Sequence, residues 1–244
     1  MSELISMSLE WGAGTRRPFY YRLDSIGDHG VVAQTFHARQ YDLADFPLTG
    51  RVLRYAAAAE AGCRRRLVVD LGANIGATAV FFSREYPDCL VVAVEPEPHN
   101  HALLTRNCEG LNVRAVEAAI SCEPGTLFLV DPDESDWGFR VSDTGDQAVR
   151  VVTMDELMRD LRATRCAPFI CKIDIEGSEA RLFERHIDWM DEFPVVIIEL
   201  HDWMLPGSSN SRSWFRALGQ FHFDVVWRGE NAFCFNNRLL APFA

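Results

Sequence analysis

The sequence predicts an α/β fold with a doubly wound, mostly parallel sheet that ends in an antiparallel hairpin and is preceded by a small N-terminal cap. From residue 66 onward, short apolar runs alternate with amphipathic stretches, which is the pattern of parallel strands joined by crossover helices. Near the end of the chain, two apolar segments flank the turn residues 228–231, a pattern typical of a hairpin. The length of 244 residues suits one large domain with a short appendage.

The first part of the chain falls outside this alternation. We therefore assign residues 1–62 to the cap and residues 63–244 to the main domain. Within the cap, segments 19–23 and 31–36 are predicted to form a small hairpin. The alanine-rich segment 52–61 is predicted to be a helix.

The main domain is expected to contain five central strands, helices between them, and the closing hairpin. The strands are predicted at 67–71, 90–94, 113–120, 169–173 and 195–200. The helices are predicted at 77–86, 98–109, 155–161, 178–190 and 213–219, and the hairpin strands at 221–227 and 232–236. Thr153 and Glu156 have the spacing of a capping box at the start of the third helix. The acidic segment 131–147, which contains Trp137, is too polar for the core and predicts a surface loop or lid.

Charge and composition argue against several classes of partner. The formal net charge is −11 and no basic cluster is longer than residues 64–66, so neither nucleic acid nor an anionic membrane is an expected partner. The first ten residues do not resemble a secretory signal, and no stretch approaches the roughly 18 apolar residues of a membrane helix, so a cytoplasmic location is expected. The seven cysteines form no C-x-x-C pair, which favours reduced thiols over a zinc site or a disulfide framework.

The most informative motif is the sequence from Asp70 to Gly76, D-L-G-A-N-I-G, where a strand meets a helix. Gly72 and Gly76 permit a tight turn and a close approach of the backbone to a ligand, and the following helix N-terminus favours negative charge. Asn74 stands where the dinucleotide-binding fingerprint has its second glycine, so that fingerprint is not met. The motif therefore indicates a nucleoside ligand other than NAD, or a turn without a ligand.

An acidic residue follows at the end of the next strand. Glu95 lies about 20 residues beyond the glycine turn, a position from which a carboxylate can accept hydrogen bonds from both ribose hydroxyls. Beside Pro96, Glu95 could instead stabilise the start of a helix without any ligand. The combination of both motifs favours the nucleoside interpretation.

Two further strands end in acidic residues. Residues 172–179 follow the fourth strand, and Asp174 is expected to face the same crevice as Gly72, because ligands in such sheets bind outside the strand carboxyl ends. The acids of this segment could also stabilise the start of the following helix. After the fifth strand, period-two alternation places Glu199 and His201 on one side. A lone histidine is more often structural, but this one ends a buried strand in line with the glycine turn.

These motifs together resemble the FkbM family of S-adenosylmethionine-dependent methyltransferases, from about residue 67 to 236. The resemblance extends loosely to the cap, where residues 25–28 and 41–42 are similar to Ser-Asp and Tyr-Asp elements of the family. It implies a class I, Rossmann-like methyltransferase fold, S-adenosylmethionine as cofactor and S-adenosylhomocysteine as product. The implied acceptor is a hydroxyl of a small molecule such as a sugar, a polyketide or a related metabolite.

The resemblance and the motifs lead to the following assignments. The residues expected to bind the cofactor are Asp70, Gly72, Ala73, Asn74, Gly76, Glu95, Pro96, Ala118 and Asp174. The residues expected to bind the acceptor are Glu176, Glu199, Trp203, Trp137 and Tyr41. His201 is the candidate general base, because an imidazole best suits base work near neutral pH, and Asp174 is expected to position the acceptor.

Three alternatives stay open at this point. Asp174, Glu176, Glu199 and His201 could bind a divalent cation, although a metal-free mechanism is favoured. An NAD(P)-dependent oxidoreductase could use a similar sheet, but the missing glycine and the terminal hairpin count against it. A non-catalytic nucleoside-binding scaffold would be expected to have degraded loop motifs, whereas these are intact.

Overall fold

The computed structural model of the chain describes residues 2–12, 14–62, 64–130, 140–163 and 165–244. Trp137, one of the predicted acceptor-binding residues, lies outside the described residues. The strands are β1 Leu4–Trp11, β2 Thr15–Arg22, β3 Arg65–Leu71, β4 Leu90–Glu95, β5 Val113–Glu117, β6 Ala119–Ile120, β7 Gly125–Val130, β8 Arg140–Ser142, β9 Gln147–Val152, β10 Cys166–Ile173, β11 Val195–Glu199, β12 Phe223–Arg228 and β13 Asn231–Asn236. The α-helices are α1 Ile26–Val32, α2 Thr49–Ala61, α3 Ala77–Glu85, α4 Pro98–Asn107, α5 Met154–Ala163, α6 Glu179–Leu182, α7 Arg212–Leu218 and α8 Asn237–Leu240.

Within the described part of the chain, seven strands form the main sheet, in the order β12-β13-β11-β10-β3-β4-β5. The five central strands β11, β10, β3, β4 and β5 are parallel to one another, which confirms the predicted alternation of strands and crossover helices. The predicted hairpin is also confirmed, since β13 pairs antiparallel with both β12 and β11. The fold is therefore α/β with a mostly parallel central sheet.

The predicted strand 113–120 is wrong in its second half. It breaks at Ala118, and β6 continues in a separate four-stranded sheet with the order β6-β9-β7-β8. This sheet has its own small core, formed by alternating apolar residues such as Leu127 and Val149. The predicted loop 131–147 is corrected accordingly, because residues 140–142 form β8 and residue 147 begins β9.

The predicted hairpin within the cap is wrong as well. β2 pairs with β1, whose alternation had not been assigned, and α1 is followed by a π-helical segment, Ala33–His37, where a strand was expected. The side chain of Ser25 accepts a hydrogen bond from the backbone N–H of Asp28 and so starts α1. The predicted helix at 52–61 is confirmed as the larger part of α2.

The predicted helix 178–190 is much shorter in the structure. α6 ends at Leu182, and a 3-10 turn, Asp188–Glu192, follows it. His186 adopts a φ of 56°, which an α-helix cannot accommodate. The predicted cap of α5 is present, since Thr153 Oγ1 accepts a hydrogen bond of 3.1 Å from the backbone N–H of Glu156.

Alternate residues of the central strands bury two apolar cores, one on each face of the main sheet. Val68 and Val91 belong to one core, whereas the adjacent Val69 and Val92 belong to the other. Residues assigned to the cap, including Phe19 and Phe46, pack into the first core. None of the described helices is long and apolar enough to cross a membrane.

Candidate active site

A cavity of about 460 Å³ opens where the central parallel strands end. This is the edge of an open α/β sheet at which ligands bind. Its walls come from the glycine turn after β3, the ends of β4, β10 and β11, the small sheet, and residues 30–41 of the cap. Ten of the predicted site residues line it: Tyr41, Gly72, Ala73, Asn74, Glu95, Pro96, Ala118, Asp174, Glu176 and Glu199.

The glycine turn is shaped by its contact with the neighbouring strand end. Gly72 has a φ of 76°, and a Cβ atom placed there would lie 1.7 Å from the backbone oxygen of Asp174. Asn74 also has a positive φ, of 49°, and its backbone N–H donates to Glu95 Oε2 at 2.8 Å. The turn therefore holds the two predicted motifs, the glycine loop and the acidic strand end, against each other.

Two predicted cofactor-binding residues lie below the cavity surface. Asp70 is fully buried and accepts a hydrogen bond from the Thr78 hydroxyl. Gly76, at a φ of 88°, packs against α4, where an added Cβ would lie 2.8 Å from Leu104 Cδ1. These two residues support the shape of the turn, and neither lines the cavity.

Glu95 is almost fully buried at the cavity wall. Its carboxylate accepts hydrogen bonds from the backbone N–H groups of Asn74 and Glu97, at 2.8 and 2.9 Å. Burial raises the pKa of Glu95 to about 7, although these two N–H groups partly offset the effect. Each carboxylate oxygen has a further lone pair that can accept a hydrogen bond from a ligand.

Lys172 is the first residue of segment 172–179, and no role was predicted for it from the sequence. Its buried ammonium donates to the backbone oxygen of Gly72 at 2.7 Å and lies 3.3 Å from carboxylate oxygens of both Asp70 and Asp174. Among the described residues that line the cavity, it is the one lysine or arginine. The position of Lys172 between Asp70 and Asp174 follows from the register of β10 with β3.

His201 is surrounded by carboxylates. Its side chain is 1% exposed, and Nδ1 lies 2.7 Å from Glu179 Oε1. On the other side of the ring, Nε2 lies 3.5 Å from an oxygen of Asp174, 3.5 Å from one of Glu176 and 3.7 Å from one of Glu199. The structure thus brings the ends of β10 and β11 together, as the strand order requires.

These neighbours change the proton affinities of the whole group. Burial alone would lower the pKa of His201, but the hydrogen bond to Glu179 and the charge of Asp174 raise it to about 9. Burial, and then the charge of Asp174, raise the pKa of Glu176 to about 8 and that of Glu199 to about 7. An imidazole with this pKa is mostly protonated at neutral pH.

Glu179 is a residue that the sequence alone suggested only as a helix-start acid. It is fully buried, and its second oxygen accepts a hydrogen bond from the Asn210 side chain. The acid thus fixes the orientation of the His201 ring. No local pattern joins Glu179 to His201, because they lie 22 positions apart on different elements.

The cap forms the wall opposite the glycine turn. Tyr41 is buried there, its hydroxyl lies 3.5 Å from Gln34 Oε1, and burial raises its pKa well above the usual value. Glu230, in the turn between β12 and β13, also reaches this side of the cavity. Trp203 is 73% exposed and is not part of the cavity wall, although its ring centroid lies 6.4 Å from that of His201.

Sequence comparisons place the chain among known proteins. The profile described as "Methyltransferase FkbM domain" matches residues 70–222, which is more than half of the chain. The chain is 30% identical over 115 residues to methyltransferase sdnD of Sordaria araneosa, covering 45% of this chain and 38% of that protein. It is 27% identical over 135 residues to the hexuronic acid methyltransferase AglP of Haloferax volcanii, covering 54% of each. The chain thus spans about half of these relatives or less.

Several solved structures are similar to this chain at low sequence identity. An O-methyltransferase from Bacillus cereus, solved in complex with SAH, is 13% identical with a TM-score of 0.42, covering 84% of this chain and 88% of that one. A Methanococcus jannaschii fibrillarin is 12% identical with a TM-score of 0.44, covering 96% and 97% of the two chains. The family assignment depends on the profile match, which contains the glycine turn, Glu95 and the cluster around His201. This chain belongs to the FkbM methyltransferase family.

Proposed function

We propose that this methyltransferase moves a methyl group from S-adenosylmethionine to a hydroxyl of a small molecule, such as a sugar, a polyketide or a related metabolite. The observation that carries the proposal is a single cavity that joins the glycine turn and Glu95 to Asp174 and Glu199. A nucleoside site and a group of ionisable side chains in one cavity are what methyl transfer to a hydroxyl requires. The relative named as a hexuronic acid methyltransferase gives the sugar class some support.

The residues of the first half of the cavity fit the cofactor. Glu95 offers carboxylate lone pairs for ribose hydroxyls, and Gly72, Ala73 and Asn74 of the glycine turn line the same cavity. Pro96, Ala118 and Ile120 provide an apolar wall suited to a flat adenine ring. When bound, S-adenosylmethionine supplies the electrophilic methyl group.

The acceptor belongs in the other half of the cavity, between the cap and the cluster around His201. Tyr41 and the glutamines of the cap offer hydrogen bonds to polar groups of the acceptor. The carboxylates of Glu176, Glu199 and Glu230 favour an acceptor that carries no negative charge near its hydroxyl. The chain must hold that hydroxyl in line with the methyl group and remove its proton.

The proton-accepting group remains a prediction. His201 was chosen from the sequence; it is not among the residues that line the cavity, but its Nε2 lies 3.5 Å from oxygens of Asp174 and Glu176, which do line it. Because the pKa of His201 is about 9, its unprotonated fraction grows as the pH rises towards that value. In a metal-free mechanism, we therefore expect kcat to increase between pH 7 and pH 9.

The experiment that tests the function combines binding with transfer. S-Adenosylhomocysteine should raise the melting temperature of the purified chain, whereas NADH should not, because Asn74 stands in place of the second glycine of the dinucleotide-binding fingerprint. Methyl-labelled S-adenosylmethionine is then incubated with a panel of sugars, polyketides and carboxylic acids. We expect label on a hydroxyl-bearing acceptor. Stabilisation by NADH, or label on carboxylates only, would contradict the proposal.

A further inference from the structure

The two nitrogen atoms of His201 have different surroundings. Nδ1 is hydrogen-bonded to Glu179, which is itself fully buried and held by Asn210. Nε2 belongs to a side chain that is 1% exposed, yet no hydrogen bond to this atom occurs within the described part of the chain. The carboxylates of Asp174, Glu176 and Glu199 around Nε2 require a positive charge between them. A proton on Nε2 supplies that charge in the metal-free chain, and a metal ion bound to Nε2 can take its place while Nδ1–H stays donated to Glu179.

The spacing of these atoms fits a metal ion. Asp174, Glu176 and His201 each offer one ligand atom, and all three atoms lie within 4.8 Å of one another. The two distances from Nε2 to the nearest oxygens are both 3.5 Å. Around a cation with bonds of about 2.0–2.2 Å, neighbouring ligand atoms are roughly 3.0–3.5 Å apart.

The hydrogen bond of His201 Nδ1 to Glu179 also favours a metal site. A histidine that binds a metal almost always donates its other ring N–H to a carboxylate or a carbonyl group, which fixes the ring and its tautomer. Glu179 supplies such a carboxylate to His201 at 2.7 Å. Glu199, with an oxygen 3.7 Å from Nε2, adds a further negative charge beside the three ligands. Lys172 is held by the opposite oxygen of Asp174 and by Asp70, so it does not occupy this space.

We propose that Asp174, Glu176 and His201 bind a divalent first-row cation, of which Mn²⁺ fits the mixed set of one imidazole and two carboxylates. Three protein ligands leave coordination positions for water or for an oxygen of the acceptor. There the cation would lower the pKa of the acceptor hydroxyl and hold its oxygen in place. This catalytic role rests on the proposed function, whereas metal binding does not. The catalytic role of the metal departs from the metal-free mechanism that the sequence favoured.

The test measures metal binding directly on the full chain. The protein is treated with EDTA, dialysed, and titrated with Mn²⁺ while the signal of free Mn²⁺ is followed by electron paramagnetic resonance. We expect one ion per chain. Asp174→Asn and Glu176→Gln should each weaken the affinity at least tenfold, and Glu179→Gln should weaken it by about 10–100-fold through the ring orientation. Glu230→Gln removes one negative charge from the same cavity and should change the affinity by no more than twofold.

If a variant does not fold, a measurement on the wild-type chain still tests the site. Bound Mn²⁺ should broaden the NMR signals of the His201 ring before those of the exposed His99 and His222. No bound ion, equal affinity in the ligand variants, or unchanged His201 signals would overturn the site. Methyl transfer that survives EDTA would overturn the catalytic role of the metal, while the proposed function would still hold. Failure to bind S-adenosylhomocysteine would instead contradict the proposed function and leave the metal result intact.

Discussion

Burial and neighbouring charges shift the pKa values of the ionisable side chains around the cavity. Glu95 has a raised pKa because it is buried, and its bonds to two N–H groups only partly compensate. The pKa of His201 is raised, which favours its charged form, because four carboxylates lie close to it. With a pKa of about 7 for Glu95 and about 9 for His201, we expect binding and activity to depend on pH in ways that single substitutions can separate.

The affinity for S-adenosylhomocysteine should increase as the pH rises from 6 to 8. Glu95, whose pKa is about 7, loses its proton over this range, and the carboxylate is the stronger acceptor for ribose hydroxyls. Glu95→Gln should weaken binding at pH 8 by about 1–3 kcal/mol and flatten this part of the profile. Isothermal titration calorimetry of both proteins at several pH values measures these affinities. An unchanged affinity in the variant would show that Glu95 only supports the loop.

In a metal-free mechanism with His201 as the base, His201→Ala should lower kcat by about 10²–10⁴ and leave the affinity for S-adenosylhomocysteine nearly intact. This range is the usual contribution of general base catalysis. His201→Gln keeps a polar side chain but accepts no proton at neutral pH, so recovery of activity in it would mean that His201 orients the acceptor. Steady-state kinetics and calorimetry give the two quantities. More than about a third of the wild-type kcat in the alanine variant would exclude His201 as the base.

The turn between β3 and α3 is constrained by a neighbouring strand. Its backbone touches the end of β10, since the atom nearest to a Cβ at Gly72 is the oxygen of Asp174. The backbone oxygen of Gly72 in this turn also accepts a hydrogen bond from the ammonium group of Lys172 on β10. A glycine is therefore needed at position 72 for two reasons: its φ is positive, and a side chain there would collide with the backbone at the end of β10.

Gly72→Ala should destabilise the chain by about 2–5 kcal/mol, which combines the cost of a left-handed alanine with that of overpacking. Gly110→Ala is the matched control, because Gly110 has a φ of 73° and nothing lies within 4 Å of an added Cβ. That variant should lose only about 1–2 kcal/mol. Urea unfolding of both proteins measures the difference. Equal losses would mean that the contact with Asp174 relaxes without cost.

The molecule as a whole has one continuous core on the cap side of the sheet. Phe46, from the segment assigned to the cap, packs with its ring centroid 4.5 Å from that of Phe233 on β13. Val52 on α2 and Phe19 on β2 belong to the same core. This arrangement couples the stability of the N-terminal segment to that of the sheet that carries the site.

Phe46→Ala should lower the free energy of unfolding by about 3–5 kcal/mol in a single transition, because its side chain is buried between both parts. Phe215→Ala is the control, since Phe215 is 53% exposed on α7 and its loss should cost no more than about 0.5 kcal/mol. Circular dichroism and tryptophan fluorescence should give coincident transitions for both variants. Two separate transitions would show that the N-terminal segment folds independently.

Local patterns along the chain were enough to identify the five central strands, the closing hairpin and the motifs at Gly72, Glu95, Asp174 and His201. Strand periodicity and glycine turns are encoded by neighbouring residues, so they can be read without the fold. The partners of β2, the break at Ala118 and the contact of Glu179 with His201 depended on residues distant in sequence. Such contacts form only when packing brings separate elements together, and for that reason the tertiary structure alone decided them.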